Sequence, residues 1–170
     1  NATLANLRLV DRSPDDQLAF LIGYLDGDGT ITNASPALLH ASCGSRTEAE
    51  LISKLFDRYL ARESTSEIAQ RGECFNVMRT VGGFAIVKLI NDGFFGANVA
   101  RARLFHIAHR LLYPEQVHAA HQRWGYVDSD GQPTRELLVA RAVLAQHDHE
   151  WAYIQHKFPD EASASPGVKG

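Results

Sequence analysis

The chain has 170 residues, of which 45% are hydrophobic, and a formal net charge of −3. This length predicts one domain with a substantial core, and the acidic balance excludes the overall basic character of many nucleic-acid-binding proteins. Two cysteines predict free thiols rather than a secreted disulfide framework, and no apolar stretch is long enough to span a membrane. Since the N-terminus also lacks the pattern of a signal peptide, we expect an intracellular protein.

The first predicted helix begins after Ser13, where Pro14 and two acidic residues follow a serine cap. It continues through LAFLIGYL and is expected to stop at Gly27 or Gly29. The next two stretches, TITNAS and ALLHASC, are rich in β-branched or small residues and are divided by Ser35-Pro36. They predict two short strands.

A second helix is predicted from the capping box Ser45-Arg46-Thr47-Glu48. The stretches STSEIAQ and CFNVMRT flank Arg71-Gly72-Glu73 and predict a hairpin, which is followed by a helix over FAIVKLIN that closes at Gly93. This order of helices and strands predicts an α+β fold with helices on one face of a four-stranded antiparallel sheet.

The rest of the chain is predicted to be helical. Asn98 can cap VARARLFHIAHRLL, a shorter segment lies between Pro114 and Trp124-Gly125, and Thr134 begins a last long helix. Its apolar and aromatic residues, spaced by three and four, form a seam that is expected to pack on the body of the domain rather than on a partner. We therefore expect a domain over 1–125, a helical extension over 126–158 and a flexible tail over 159–170.

The stretch LIGYLDGDG, residues 21–29, places Asp26 and Asp28 at the end of an apolar helix. An EF-hand is rejected because Tyr24 and Ser35 would stand where calcium needs acidic ligands. A second such stretch, Asp128-Ser129-Asp130-Gly131, fails in the same way and predicts a polar turn. The eight histidines do not form a zinc motif with either cysteine, and we expect them to be surface or capping residues.

The same nine residues resemble the signature of the LAGLIDADG homing endonucleases. Five residues match it, and the remaining four are mostly apolar or small variants; the matching ones are Leu21, Gly23, Asp26, Asp28 and Gly29. The resemblance implies an αββαββα core with extra C-terminal helices here, and site-specific hydrolysis of double-stranded DNA by an enzyme associated with an intron or intein. Because the chain holds one copy of the motif, it implies a homodimer on a near-palindromic site, the alternative being a larger assembly that supplies the other half.

The resemblance also assigns roles to individual residues. Asp28 and the carbonyl of Gly27 are expected to bind magnesium (Mg²⁺), for which Ca²⁺ or Mn²⁺ can substitute, and Arg46 and Arg101 are expected to assist catalysis. The residues expected to contact DNA are Thr32, Asn33, His40, Arg71, Asn76, Arg79 and Arg103. The residues expected at the dimer interface are Leu18, Ile22, Gly23, Asp26 and Gly27.

The spacing of two glycines supports the expected dimer. Gly23 and Gly27 are four residues apart, so they lie on one helix face, and small residues on such a face let two helices pack closely. Two copies of Asp28 brought together would repel unless a cation lay between them. The sequence does not decide which face of the sheet would meet DNA, because Arg79 alternates in step with the apolar residues Phe75 and Val77 and so shares their face. Two alternatives also stay open: a non-cleaving DNA- or RNA-binding module of the same fold, such as a maturase-like or regulatory protein, and a protein-interaction domain.

Overall fold

The computed structural model describes residues 8–34, 36–60, 66–96, 98–113 and 124–162 of the chain. Over these ranges the fold is α+β, with six α-helices and one four-stranded antiparallel sheet. Short 3-10 helices lie at Leu9–Asp11 and Pro159–Ala162. The elements follow in the order α1 (Pro14–Asp28), β1 (Gly29–Thr32), β2 (Ala37–Cys43), α2 (Arg46–Tyr59), β3 (Glu67–Arg71), β4 (Cys74–Val81), α3 (Gly83–Asn91), α4 (Val99–Leu112), α5 (Arg135–Ala145) and α6 (Asp148–Lys157).

The four strands lie in the order β1-β2-β4-β3, and each neighbouring pair is antiparallel. Side chains alternate between the two faces of a strand, so partners in register point to the same side. Odd-numbered residues of β2 are buried, as are Val77, Arg79 and Val81 of β4. These side chains face the helices. The even-numbered residues of β1, β2 and β4 form the opposite face together with the odd-numbered residues of β3, which pair with them in register; we call it the open face.

One hydrophobic core joins the sheet to the helices. It includes side chains from all six helices, with Phe56, Phe94 and Phe105 among its largest fully buried members. Leu137, Ala140 and Leu144 of α5 belong to the same core, as does Ile154 of α6. The predicted C-terminal seam therefore packs on the body of the domain, as expected.

Side chains cap the helices where the sequence predicts them. The Ser13 hydroxyl accepts a hydrogen bond from the backbone N–H of Asp16, and the Ser45 hydroxyl accepts one from Glu48. Asn98 and Thr134 cap α4 and α5 in the same manner. Each cap satisfies backbone donors that have no partner inside the helix, which is why these positions begin helices.

Two predicted elements differ from the observed ones. β1 ends at Thr32 instead of continuing through Asn33, whose side chain is held by other elements. The expected long C-terminal helix is broken at Gln146 and His147, where the backbone makes i→i−3 bonds before α6 begins. Beyond the break, Trp151 of α6 stacks on His109 of α4. The predicted segment after Pro114 lies outside the described residues.

None of the described helices combines the length and the apolar character that crossing a membrane requires.

Candidate functional site

The end of α1 presents Asp26, Gly27 and Asp28 to solvent. Helix α1 runs directly into β1, and Gly29 has an extended backbone with φ of −113°. A side chain at Gly29 would collide with the preceding helical turn, because its Cβ would lie 2.6–2.9 Å from atoms of Leu25. Gly29 therefore allows the tight join between helix and strand, which holds Asp28 at the rim of the sheet.

Asp28 shares this rim with Tyr24, Cys43 and Glu48. The Tyr24 hydroxyl donates to the backbone carbonyl of Ser42 at 2.9 Å and lies 3.5 Å from the Glu48 carboxylate. Burial is the largest cause that raises the pKa of Tyr24, followed by its interaction with Cys43 and the negative charges of Glu48 and Asp28. The phenol is therefore neutral and remains a hydrogen-bond donor beside Asp28.

Cys43 is buried beneath this cluster. Burial raises the pKa of its thiol first, and the charges of Glu48 and Asp28 raise it further, although the hydrogen bond with Tyr24 opposes them. A thiol in this state is a poor nucleophile, because the thiolate is the reactive form. Of the two carboxylates in the cluster, Asp28 belongs to an exposed residue, whereas Glu48 is half-buried and accepts the backbone N–H of Gly44.

The exposed side of α1 includes three small residues at a spacing of four, Ala19, Gly23 and Gly27. A Cβ built at Gly23 or Gly27 would meet nothing within 4 Å, so neither glycine is required by the packing of its own chain. Leu18 and Ile22, also expected at the dimer interface, are half-buried and pack on the core.

Asp26 lies elsewhere on α1 than Asp28. A Cβ built at Gly96, in the turn after α3, would lie 3.9 Å from the Asp26 carboxylate. Tyr24 and Asp28 are four residues apart and share a face, whereas Asp26 is two residues from each and does not. The two carboxylates of the motif therefore have different surroundings.

The open face of the sheet carries four of the residues expected to contact DNA. Thr32, His40, Arg71 and Asn76 have the same parity in the register, with Ser42 accompanying them. His40 is half-buried and, within the described residues, its Nε2 has no hydrogen-bond partner. Burial lowers the pKa of His40, and the charge of Arg71 lowers it further. The face is thus mostly neutral and polar.

Arg79 does not lie on this face, and its expected role in DNA binding is wrong. Its side chain is 1% exposed and turns toward α2, where the guanidinium lies 2.7 Å from the Asp57 carboxylate and also donates to the carbonyl of Leu60. It shares the core face with Val77 and Val81. A cation in this position cannot reach a phosphate on the other side of the sheet.

Arg101 is also buried, which contradicts its expected catalytic role. Its guanidinium bonds to the Glu150 carboxylate at 2.9 Å and to the backbone carbonyls of Phe94 and Ile90. The residue ties α4 to α6 and to the end of α3. These acceptors surround the guanidinium, and only 7% of Arg101 is exposed. The contact between Arg101 and Glu150 is therefore a structural ion pair.

Arg103 and Asn33 are engaged at the edge of the sheet, which contradicts their expected contacts with DNA. Arg103 lies 2.7 Å from Glu161 and donates to the backbone carbonyl of Ile31. Asn33 is buried and accepts a hydrogen bond from Arg110 at 2.8 Å. These contacts hold β1 to α4 and the C-terminal 3-10 helix.

Arg46 remains accessible at the start of α2, where its guanidinium lies 5.1 Å from the centre of the Phe75 ring.

The sequence predictions missed Tyr24 as a neighbour of Asp28, although their spacing of four residues was a usable signal. They assigned Glu48 only to its capping box. Its carboxylate accepts the backbone N–H of Gly44 at 3.1 Å and also faces Tyr24.

Within the described residues, no group of three or more His, Cys, Asp and Glu side chains could hold a metal ion. The second D-x-D-G stretch is a polar turn, in which the Asp128 carboxylate accepts the backbone N–H groups of Asp130 and Gln132. His106 and His109 pack beside Trp151 instead of lying on the surface as expected.

Comparisons with protein-family models, curated proteins and solved structures return no match for this chain.

Proposed function

We propose that the chain is a homodimeric, magnesium-dependent endonuclease of the LAGLIDADG type that cleaves double-stranded DNA at a near-palindromic site. The observation that carries the proposal is the exposed carboxylate of Asp28, at the end of a helix with an unoccupied small-residue face and at the rim of a sheet with a polar open face. The order of elements and strands supports the αββαββα core that the sequence motif implies.

In the proposed dimer, α1 helices of two copies pair through Gly23 and Gly27. The pairing brings two Asp28 carboxylates together, with the carbonyl of Gly27 beside each. Carboxylate and carbonyl oxygens are the ligands that Mg²⁺ prefers, and the ion keeps several waters. The exposure of Asp28 and the open space at Gly27 fit an ion shared by two chains. A bound Mg²⁺ would activate water and stabilise the leaving oxygen of a phosphodiester.

The open face would lie along the DNA in this arrangement. Asn76 and His40 offer neutral donors and acceptors to base edges, and Arg71 at the hairpin offers a cation to a phosphate or a guanine. Arg46 stands near the metal end of the sheet. This surface carries few cations, so most of its contribution would be base readout and shape, with a shallow dependence of binding on salt.

A second function is favoured by the engagement of Arg79, Arg101 and Arg103 in structural ion pairs. Phosphate contacts and leaving-group stabilisation then depend on fewer cations than the resemblance implies. A non-cleaving DNA- or RNA-binding module of the same fold would use the open face and not require Asp28.

Replacing Asp28 by Asn distinguishes the two functions. The substitution removes the metal-binding charge while keeping side-chain shape, so DNA cleavage in Mg²⁺ should fall by at least about a hundredfold while binding in EDTA persists. The assay is cleavage of a randomised duplex library read by sequencing of cut ends, with binding followed by filter retention.

Asp26→Asn is the matched control, because this carboxylate is exposed on the same helix but faces Gly96. It should retain a substantial part of the cleavage, because an amide of the same shape at the expected dimer interface leaves the Asp28 carboxylates in place. Equal cleavage by Asp28→Asn and the parent would contradict the endonuclease mechanism, whereas binding without cleavage by the parent would favour the second function.

A further inference from the structure

A groove with a volume of about 860 Å³ lies between α3 and α5. Ala85 of α3 and Ala140 of α5 are buried along it, and these small side chains leave room between the two helices. Val87 and Val143 add apolar walls. The C-terminal end of α2 closes one side. This shape suits a third helix laid along the first two.

The exposed side of the groove is also apolar. Val139 of α5 lines it and is 55% exposed, which is high for a valine in a folded chain. Trp124 lines the groove as well and packs partly against the core. Exposed apolar residues that border a concave surface are typical of a protein-binding site, whereas scattered ones are not.

Three exposed cations surround this apolar surface: Arg58, Lys88 and Arg135. Glu136 is the one acidic residue that lines it in the described part of the chain. None of the three cations forms a salt bridge with another described residue. In a chain with a net charge of −3, this local excess of positive charge stands out and would attract an acidic partner.

We propose that the groove binds an acidic amphipathic helix of a partner protein. The apolar face of that helix would contact Val139 and Val143, and its carboxylates would meet Lys88 and Arg135. This interaction is separate from the proposed endonuclease function, because the groove shares no residue with the proposed metal, DNA or dimer surfaces.

Single-stranded nucleic acid fits the groove less well. Such ligands stack their bases on exposed aromatic faces. Here the Tyr59 ring is covered by Lys88, whose Nζ lies 4.4 Å from the ring centre, and Phe84 meets the ring of Tyr126 edge-on. Trp124 is the other aromatic residue of the lining and packs partly against the core, and the rest of the apolar lining is aliphatic, which favours a peptide.

The test is a phage-displayed library of helix-forming peptides selected on the full-length chain. We expect enriched peptides to carry net negative charge and apolar residues at i, i+3 or i+4, and i+7. Synthetic versions should bind Val139→Asp and Lys88→Glu at least about tenfold more weakly, the change given by 1.4 kcal/mol. Circular dichroism checks that the variants are folded.

Leu138→Asp is the matched control, since Leu138 is 53% exposed on the same helix but does not line the groove. It should bind the peptides as the parent does. The proposal is overturned if no peptide is enriched, if the enriched peptides are neutral or basic, or if Leu138→Asp weakens binding as much as Val139→Asp. Displacement of bound peptide by a mixed-sequence single-stranded DNA, with loss of that DNA in Val139→Asp, would replace the peptide by nucleic acid as the ligand.

Discussion

At the scale of single residues, the contact between Arg79 and Asp57 holds the Arg79 cation on the face of the sheet that the helices cover, so this cation is absent from the open face. Arg79 is 1% exposed, while the Asp57 side chain is 43% exposed and also accepts two hydrogen bonds from Ser66. The pair therefore joins β4, the end of α2 and the start of β3 at the back of the sheet. A buried cation of this kind is costly without its partner.

Replacing Asp57 by Ala should destabilise the fold by about 2–3 kcal/mol, somewhat less than breaking a fully buried pair, because Asp57 is partly solvated. The loss comes from leaving Arg79 charged and buried without its carboxylate. Urea unfolding followed by circular dichroism measures it. Adding Arg79→Met to Asp57→Ala should restore much of the stability, since an apolar side chain suits the site. A loss below about 0.5 kcal/mol for Asp57→Ala would show that the pair contributes little.

The sequence identifies residues whose role depends on near neighbours along the chain. Ser13, Ser45 and Asn98 act as caps as predicted, because capping needs only a short polar side chain before an apolar run. The roles of Arg79 and Arg101 could not be predicted, because each depends on a carboxylate far away in sequence. The apolar parity of β4 was the available signal for Arg79.

At the scale of elements, α6 docks on α4 through aromatic rings. The Trp151 indole stacks on the His109 imidazole, with 4.1 Å between ring centres and 16° between planes, and His106 meets the indole edge-on at 4.8 Å. A break in the helix at Gln146 and His147 precedes α6. A helical seam predicts that α6 packs on the body, but not this break, because Gln146 and His147 carry no strong helix-stopping signal.

This docking should make stability depend on pH. Burial lowers the pKa values of His106 and His109, opposed at His106 by a backbone hydrogen bond and the charge of Glu161, and at His109 by the charge of Asp148. Histidines with a lowered folded-state pKa bind fewer protons folded than unfolded. Stability is therefore full above the unfolded value of about 6.5 and is lost as pH falls toward the lowered folded value.

His109→Phe tests this dependence. The phenyl ring keeps the stack on Trp151 and removes a buried Nε2 that has no hydrogen-bond partner within the described residues. The free energy of unfolding should then fall less between pH 7 and pH 5 than in the parent, as measured by urea titrations at each pH. His106 and His40 retain part of the slope. An unchanged slope would mean that His109 does not titrate between the two states in this range.

At the scale of the whole molecule, the exposed side of α1 is available for pairing with a second copy. The described helices cover one face of the sheet and leave Ala19, Gly23 and Gly27 in solvent. Glycine in a helix interior costs about 0.8–1.0 kcal/mol relative to alanine. Two helical glycines on one exposed face are thus unfavourable for an isolated chain, and close approach of another helix would offset that cost.

Replacing Gly23 by Leu separates the stability of the chain from its assembly. Because a Cβ at Gly23 meets nothing within 4 Å and leucine favours helices, the substituted chain should unfold at equal or higher urea concentration once differences in assembly are removed by dilution. The same side chain would hold two α1 helices apart, so the dimer should be lost. Light scattering after size-exclusion chromatography at micromolar concentration should show twice the chain mass of 18.8 kDa for the parent and the single chain mass for Gly23→Leu.

Ala142→Leu adds an exposed leucine on α5 and controls for added apolar surface; it should leave the mass unchanged. A parent that runs as a monomer would remove the shared metal site, because each chain then offers a single exposed Asp28 carboxylate, and binding of DNA without cleavage would become the expected activity.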